Sequence, residues 1–241
     1  YSRVACPHRS QPRGRSGRRT RSIEERAIAA ADDPRATLDA LRRYPRRVTL
    51  RAKDGHVQRV TLRLTRPGDR AAIDEVVARL PGDDLLFARA YLTQDGLTID
   101  WIADADAFWT MAVVAERRGA IVGFAHLHVD PIPRGRNHKR PPADIQFVVA
   151  TEMRGRGLGA VLAGECLWIA DRLGLPEVQA RVTSGQPAAR SVLERLGFVP
   201  AAMLHGGAIT AGGRPRHVIV MRHSAGPPAG GEHRSAGPRR G

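Results

Sequence analysis

One stretch, residues 145–174, constrains the fold of this chain more than any other. It opens with the short apolar run 145–150, whose β-branched and aromatic residues favour a strand over a helix. A turn follows, and apolar residues then recur three or four positions apart, which predicts a helix that ends at Gly174, before Pro176. Glu165 and Arg172 are predicted to point away from its apolar face, which consists of Leu158, Leu162, Cys166, Ile169 and Leu173.

The turn between this strand and helix has the composition of an anion-binding loop. Glycines at 155, 157 and 159 remove the side chains that would keep an anion from the backbone, and Arg154 and Arg156 add positive charge. The first N–H groups of a helix lack internal partners, and the helix dipole makes that end positive. The pattern predicts a cradle for phosphate, most naturally a pyrophosphate. The simpler alternative is a tight glycine turn with surface arginines.

A dinucleotide-binding loop is a second interpretation of the same residues. The spacing Gly155-x-Gly157-x-x-Ala160 is a loose version of that fingerprint. It requires an acidic residue about 20 positions further on, after the next strand. The next predicted strand, 178–182, is followed by Thr183 and Ser184, and no acid is present there. The loop also comes too late in the chain for a doubly wound sheet, so this interpretation is disfavoured.

The motif Arg154-x-x-Gly157-x-Gly159 resembles the acyl-coenzyme A pyrophosphate loop of the GNAT family of N-acetyltransferases. Residues 186–198, QPAARSVLERLGF, are similar to the family signature N-x-x-A-x-x-L-Y-x-K-x-G-F. The resemblance extends over 48–223 and is strongest over 143–199. Gln186 stands where Asn is usual, and Leu193 stands where many members carry a Tyr thought to act as general acid.

The resemblance implies a GNAT acyl-CoA N-acyltransferase fold of the α/β class, with a mixed central sheet, two splayed parallel strands and flanking helices. It implies acetyl-CoA as co-substrate, bound without a metal. Backbone amides of Phe147, Val148 and Val149 would hold the pantetheine where the two strands part. The remaining candidate coenzyme-binding residues are Arg154, Gly155, Arg156, Gly157, Leu158, Gly159, Gln186 and Arg190.

Asp144 is the candidate general base, because it aligns with the strand-borne Glu of the family. The segment Ala143-Asp144-Ile145 resembles the Ala-Glu-Phe of the protein-lysine acetyltransferase branch, which often lacks the Tyr as well. Alternation places Asp144, Gln146 and Val148 on one strand face, and partial burial would raise the pKa of the carboxyl. Alternatively, Asp144 has no catalytic role and only caps the strand or pairs with Arg140.

Two histidines on a neighbouring strand are further candidates. His126 and His128 alternate on one face, and His126 is a rival base. Two ligands are too few for catalytic zinc, which takes three from the protein, so no metal is expected. With Leu193 in the Tyr position, the thiolate is expected to leave without a proton donor, because the pKa of a thiol is already low.

These residues predict transfer of an acetyl group to a primary amine, on a protein lysine or a small molecule, by direct attack in a ternary complex. A non-catalytic GNAT-fold module that binds acyl-coenzyme A for regulation is the main alternative. The net charge of +15 also suggests a nucleic-acid-binding protein, but much of it lies in two arginine-rich tails, 1–22 and 224–241. Such tails favour at most weak, salt-sensitive contact with nucleic acid.

The predicted organisation has four parts: a disordered basic tail (1–22), a helical extension (23–46), the N-acetyltransferase domain (47–223) and a second disordered tail (224–241). The only cysteines are Cys6 and Cys166, so a disulfide is not expected. No apolar run is long enough to cross a membrane, and a cytoplasmic protein is the expectation. The sequence does not fix the oligomeric state, and a homodimer is one alternative.

The other predicted elements flank the central stretch. Strands are expected at 48–51 and 57–64 around a hairpin turn, followed by a helix that begins near Asp69. One or two short helices are expected within 81–107, and a loop is expected at 131–142. Further strands are expected at 109–115, 120–128 and 217–222, and a helix at 187–196 with a strand after Gly197.

Overall fold

The computed structural model describes residues 42–52, 55–82, 84, 110–129, 142–210 and 212–224. Within these ranges it contains eight strands and three α-helices, and short 3₁₀ turns precede the first helix and follow the fifth strand. The elements are β1 (Arg46–Arg51), β2 (Val57–Leu64), α1 (Arg70–Ala78), β3 (Thr110–Arg117), β4 (Ala120–His128), β5 (Ala143–Val149), α2 (Leu158–Arg172), β6 (Glu177–Thr183), α3 (Pro187–Arg195), β7 (Val199–Ile209) and β8 (Pro215–Ser224).

The eight strands form one mixed sheet in the order β1-β2-β3-β4-β5-β6-β8-β7. Every neighbouring pair is antiparallel except β5 and β6, which run parallel. A parallel pair needs a crossover connection, and α2 provides it. The predicted mixed α/β sheet with flanking helices is therefore confirmed.

The apolar face of α2 packs against β4 and β5, as its periodicity predicted. Leu158, Leu162 and Ile169 are almost fully buried on this face. The approach is close at Gly123 of β4, where an added Cβ would lie 3.1 Å from the Leu162 side chain and 2.8 Å from the Val148 carbonyl oxygen. Gly174 ends the helix at a φ of 64°, and the Leu175 amide donates back to the Ala170 carbonyl, which completes a Schellman cap.

The prediction that Glu165 points away from the buried face was wrong, because this carboxylate is itself buried. Its side chain is 4% exposed and accepts hydrogen bonds from the Tyr44 hydroxyl at 2.7 Å and from the guanidinium groups of Arg43 and Arg46. Arg43 also stacks on Trp168, 4.2 Å from the ring centroid. Glu165 thus fastens the residues before β1 to the edge of the buried face of α2.

Several predicted boundaries shift in the structure. Strand β1 begins at Arg46, within the predicted extension, and β8 runs from Pro215 to Ser224, longer than the predicted 217–222. Strand β7 spans eleven residues and is exposed over nearly its whole length. The tail 1–22, residues 23–41 of the predicted extension, residues 85–107 of the predicted short-helix region, Trp109, residues 131–141 of the predicted loop and residues 225–241 of the second tail lie outside the described residues.

Candidate active site

A cleft opens where the parallel strands β5 and β6 separate. Their ladder contains only three pairs, from Ala143–Val178 to Ile145–Ala180. Beyond it β5 stays paired with β4 as far as Val149, whereas β6 follows β8. The cleft encloses about 390 Å³ of empty space, part of it open to solvent, and is lined by Asp84, Ile145, Gln146, Phe147, Val148, Ala180, Arg181, Val182, Gln186, Ala189 and Leu193.

The backbone of β5 turns two of the three predicted amides into this cleft. The Ala150 amide donates to the Val122 carbonyl of β4, and in an antiparallel ladder successive residues point their N–H groups to opposite edges. The amide of Val148 is therefore directed toward β4, and those of Phe147 and Val149 face the gap left by β6. Val148 is nevertheless among the residues that line the cleft. The strand can add hydrogen bonds to a ligand at alternate residues.

The glycine loop continues directly from this open edge to the start of α2. Gly155 and Gly157 have φ of 70° and 84°, a region that other residues avoid. None of the described backbone carbonyls accepts a hydrogen bond from the amides of 155–159. Gly159 serves packing instead, because a Cβ there would lie 3.3 Å from the Phe147 ring. The loop combines free N–H groups with the positive end of a helix.

Both arginines of the loop already have partners. Arg154 forms an ion pair with Asp84, with 2.8 Å between Nη2 and Oδ2, and Asp84 also lines the cleft. Arg156 donates from Nε to the Glu152 carbonyl at 3.3 Å. A bound anion would compete with Asp84 for Arg154. The sequence offered no signal for Asp84, which lies about 70 residues from the loop.

The two candidates of the α3 segment have different surroundings. Gln186 lines the cleft, and its Oε1 accepts a hydrogen bond of 2.9 Å from the Thr183 amide, which orders the end of β6. Arg190 is outside the cleft lining and pairs with Glu194 on the exposed side of the helix. Leu193, in the position of the family Tyr, is fully buried against the cleft.

Asp144 lies just before the strands part, on the face of β5 away from α2. Its Oδ2 accepts a hydrogen bond from Gln179 Nε2 at 3.1 Å, and its Oδ1 is 3.6 Å from Arg181 Nη1. Burial raises the pKa of the carboxyl, against the opposing effects of Arg181, of the Gln179 hydrogen bond and of His128. The ion pair is with Arg181, whereas the expected partner Arg140 lies outside the described residues.

His126 and His128 share the Asp144 face of the sheet. They are the cross-strand partners of Gln146 and Asp144. His126 is buried, and the loss of hydration, together with His128, lowers its pKa to about 4, so it is neutral at physiological pH. Among the described residues, no three His, Cys, Asp or Glu side chains come together as a metal site, and no helix is long and apolar enough to cross a membrane.

Comparison with known proteins identifies the family. The sequence model of the Acetyltransferase (GNAT) family matches residues 80–198. Acetyltransferase Pat of Mycolicibacterium smegmatis is 34% identical over 62 residues, a match that takes in 26% of this chain and only 19% of that relative.

Solved structures with the same fold cover most of this chain at low sequence identity. The GNAT domain of S. lividans PAT aligns with a TM-score of 0.58 at 15% identity, over 76% of this chain and 98% of that one. A GNAT acetyltransferase from Streptococcus pneumoniae aligns at 0.54 and 21% identity, over 69% and 99%. yncA of Salmonella typhimurium, solved with its cofactor acetyl-CoA, aligns at 0.54 and 21%, over 68% and 93%. Residues 80–198 therefore belong to the GNAT family of acetyltransferases.

Proposed function

We propose that this protein is an acetyl-CoA-dependent N-acetyltransferase that acts on a primary amine. The observation that carries the proposal is the continuity of the open β5 edge with the glycine loop. Amides of Phe147 and Val149 can bind the pantetheine as an added strand would, and the amides of 155–159 lie where its pyrophosphate would follow. The bound yncA structure is that of a relative with the same fold and supports this choice of ligand.

Asp144 is the proposed base, with the acceptor amine entering from the face of the sheet away from α2. A carboxyl with a raised pKa can take a proton from an ammonium group, directly or through one water. The deprotonated amine attacks the thioester carbon, the C–S bond breaks, and coenzyme A departs as the thiolate. The thiolate takes the proton that the attacking nitrogen loses as the amide forms, so coenzyme A is released as the free thiol. An amide of the cleft edge, such as that of Phe147, would stabilise the oxyanion.

The acceptor remains a primary amine on a protein lysine or on a small molecule. The name of the Pat relative specifies acetyltransfer and no substrate, and the match covers about a fifth of its length. The short segment Ala143-Asp144-Ile145 favours the protein-lysine branch. We place the catalytic domain at 47–223, and the sheet from Arg46 to Ser224 spans these residues. We also propose a cytoplasmic location, and a homodimer is an alternative to a monomer.

Calorimetry with acetyl-CoA tests the coenzyme site, and two glycine variants test whether the loop is the part that binds. Gly157→Gln forces a side chain into the left-handed region within the loop, whereas Gly164→Gln adds the same side chain in open space on α2. We expect Gly157→Gln to weaken acetyl-CoA binding by about tenfold or more, as the loss of one or two charge-assisted hydrogen bonds would. Gly164→Gln should bind like wild type. Absence of binding by the wild type, or equal affinity in both variants, would contradict the proposal.

A non-catalytic acyl-CoA-binding module is the second candidate, favoured by the buried Leu193 in place of a Tyr and by the ion-paired Asp144. Release of free thiol with a lysine peptide, spermidine, kanamycin and free amino acids separates the two. An enzyme with Asp144 as base should lose about 10²–10⁴-fold in kcat on Asp144→Asn while it keeps its affinity for acetyl-CoA. A module would bind acetyl-CoA and release no thiol with any amine.

A further inference from the structure

A row of polar side chains crosses the sheet beside the cleft. Thr110 of β3 is the direct partner of His128 on β4, His128 is the partner of Asp144 on β5, and Asp144 is the partner of Gln179 on β6. Direct partners lie on the same face, so these four side chains form one continuous line. The line passes through the second of the three pairs of the β5–β6 ladder, one pair before the strands part and the cleft begins.

Hydrogen bonds orient the two central side chains of this row, His128 and Asp144, from the two ends. The Thr110 hydroxyl lies 2.8 Å from His128 Nδ1, and Gln179 Nε2 donates to Asp144 Oδ2 at 3.1 Å. With Nδ1 engaged by Thr110, Nε2 is the His128 nitrogen left for proton exchange. His128 and Asp144 are direct cross-strand partners, and the charge of the imidazole lowers the pKa of the carboxyl.

The surroundings distinguish His128 from its neighbour on the same strand. His126 is buried and its pKa falls to about 4, so it does not exchange protons near neutral pH. His128 is only partly buried. On this face, His126 on the same strand and Arg181 on β6 are the charged or titratable neighbours beside the His128–Asp144 pair, and β3 contributes the neutral Thr110. Farther from the pair, the same face carries residues that form ion pairs there, namely Arg63 on β2, Glu116 on β3, Glu177 on β6 and Arg222 on β8.

We propose that His128 is a proton relay for Asp144 and that Thr110 positions its ring. The inference rests on the proposed function, because it concerns the proton that the acceptor amine releases. The ammonium gives this proton to the Asp144 carboxylate; the resulting carboxylic acid passes it to His128 Nε2; and the imidazolium releases it to water. The amine is left neutral, and Asp144 and His128 return to their starting states. His128 acts through Asp144 and does not contact the amine.

The test measures kcat and KM from pH 6 to 9 with acetyl-CoA and whichever amine of the panel the wild type acetylates fastest. We expect His128→Gln to lower kcat about 10- to 100-fold near pH 7, as loss of a proton-transfer group does. The deficit should shrink as pH rises, because hydroxide can then remove the proton. Thr110→Val should lower kcat by a smaller factor, since the ring remains and only its orientation is lost. KM for acetyl-CoA should stay within about twofold in both.

Added imidazole provides a readout that a structural role would not give. It should restore part of the kcat of His128→Ala and none of the kcat of Asp144→Asn. The carboxyl carbon of Asp144, followed by NMR, should titrate at higher pH in His128→Gln, because the lowering effect of His128 is gone. Thr49→Val on β1 and the exposed His205→Gln on β7 are the matched controls and should behave as wild type.

The outcomes separate the relay from the proposed function. A wild type that transfers acetyl groups while His128→Gln keeps kcat within about twofold overturns the relay alone. The same holds if the deficit is equal at every pH and imidazole has no effect. A wild type that acetylates no amine of the panel overturns the relay and the proposed activity together.

Discussion

The carboxyl of Asp144 has a hydrogen bond from Gln179 and an ion pair with Arg181, and its pKa is still raised. Burial removes more hydration energy from the carboxylate than these partners return. A raised pKa means that the folded state binds the proton more tightly than the unfolded state does. The contribution of Asp144 to stability is therefore fully present below the unfolded pKa of 3.8 and is lost as pH rises through the folded pKa.

We expect Asp144→Asn to be more stable than the wild type at pH 7, since the amide carries no charge to desolvate. The advantage should disappear in acid below about pH 3.8, where the wild-type carboxyl is protonated too. Thermal unfolding across this pH range measures it. The exposed Asp74→Asn on α1 is the control, expected to change stability by less than about 0.5 kcal/mol. A lower melting temperature of Asp144→Asn at pH 7 would show that the Arg181 pair outweighs desolvation.

Little in the sequence marks the partners of Asp144. Its position as a candidate base follows from the strand pattern and the family resemblance, but Gln179, Arg181 and Thr110 are distant in sequence. They become neighbours only through strand register, which depends on how the whole sheet pairs. Periodicity likewise could not separate the Val148 amide from those of Phe147 and Val149, because all three belong to the same apolar run. The Ala150–Val122 hydrogen bond distinguishes them.

At the scale of elements, the buried surface of α2 combines two kinds of contact. Its apolar residues pack on the sheet, and Glu165 at the edge of the same buried face binds Tyr44, Arg43 and Arg46. The apolar side was predictable because helical periodicity is a local signal. The Glu165 site was not, because its partners lie about 120 residues earlier and a lone Glu on a helix is usually exposed.

We expect Glu165→Gln to destabilise the protein by about 1–3 kcal/mol, because two guanidinium groups lose their buried counter-charge. The estimate is below the full cost for a buried pair, since both arginine side chains are 29% exposed. Urea unfolding measures the change. Glu75→Gln, which breaks the exposed pair with Arg79, should cost less than about 0.5 kcal/mol. Equal effects of the two substitutions would mean that the Glu165 cluster contributes no more than a surface ion pair.

At the scale of the whole molecule, the sheet has two parts joined by a narrow seam. Strands β1–β5 form one antiparallel set and β6–β8 form another, and only three parallel pairs connect them. Helices α2 and α3, which contact each other, lie beside the seam. A ligand in the cleft would bind both parts at once. The sequence predicted a mixed sheet with two splayed parallel strands. It did not predict that the ladder between these strands would contain three pairs.

Acetyl-CoA should therefore protect both sides of the seam against hydrogen exchange. We expect slower exchange at 147–149 on β5 and at 181–183 on β6, with little change in the β1–β2 hairpin. At a ligand concentration of about 100 Kd the free energy of unfolding should rise by about 2.7 kcal/mol. Protection confined to one side of the seam would contradict a ligand that bridges the two parts.

The three-pair ladder also affects the order in which the molecule is assembled. The hairpins β3–β4 and β7–β8 join strands that are close in sequence, whereas Ala143 and Val178 must meet after the intervening 34 residues have formed a loop and a helix. Contacts between distant residues tend to form late, since closing the loop costs entropy before the contact repays it. A refolding chain should thus recover its far-ultraviolet circular dichroism before it can take up acetyl-CoA, and a nascent chain would become competent for its ligand only at the last stage of its maturation.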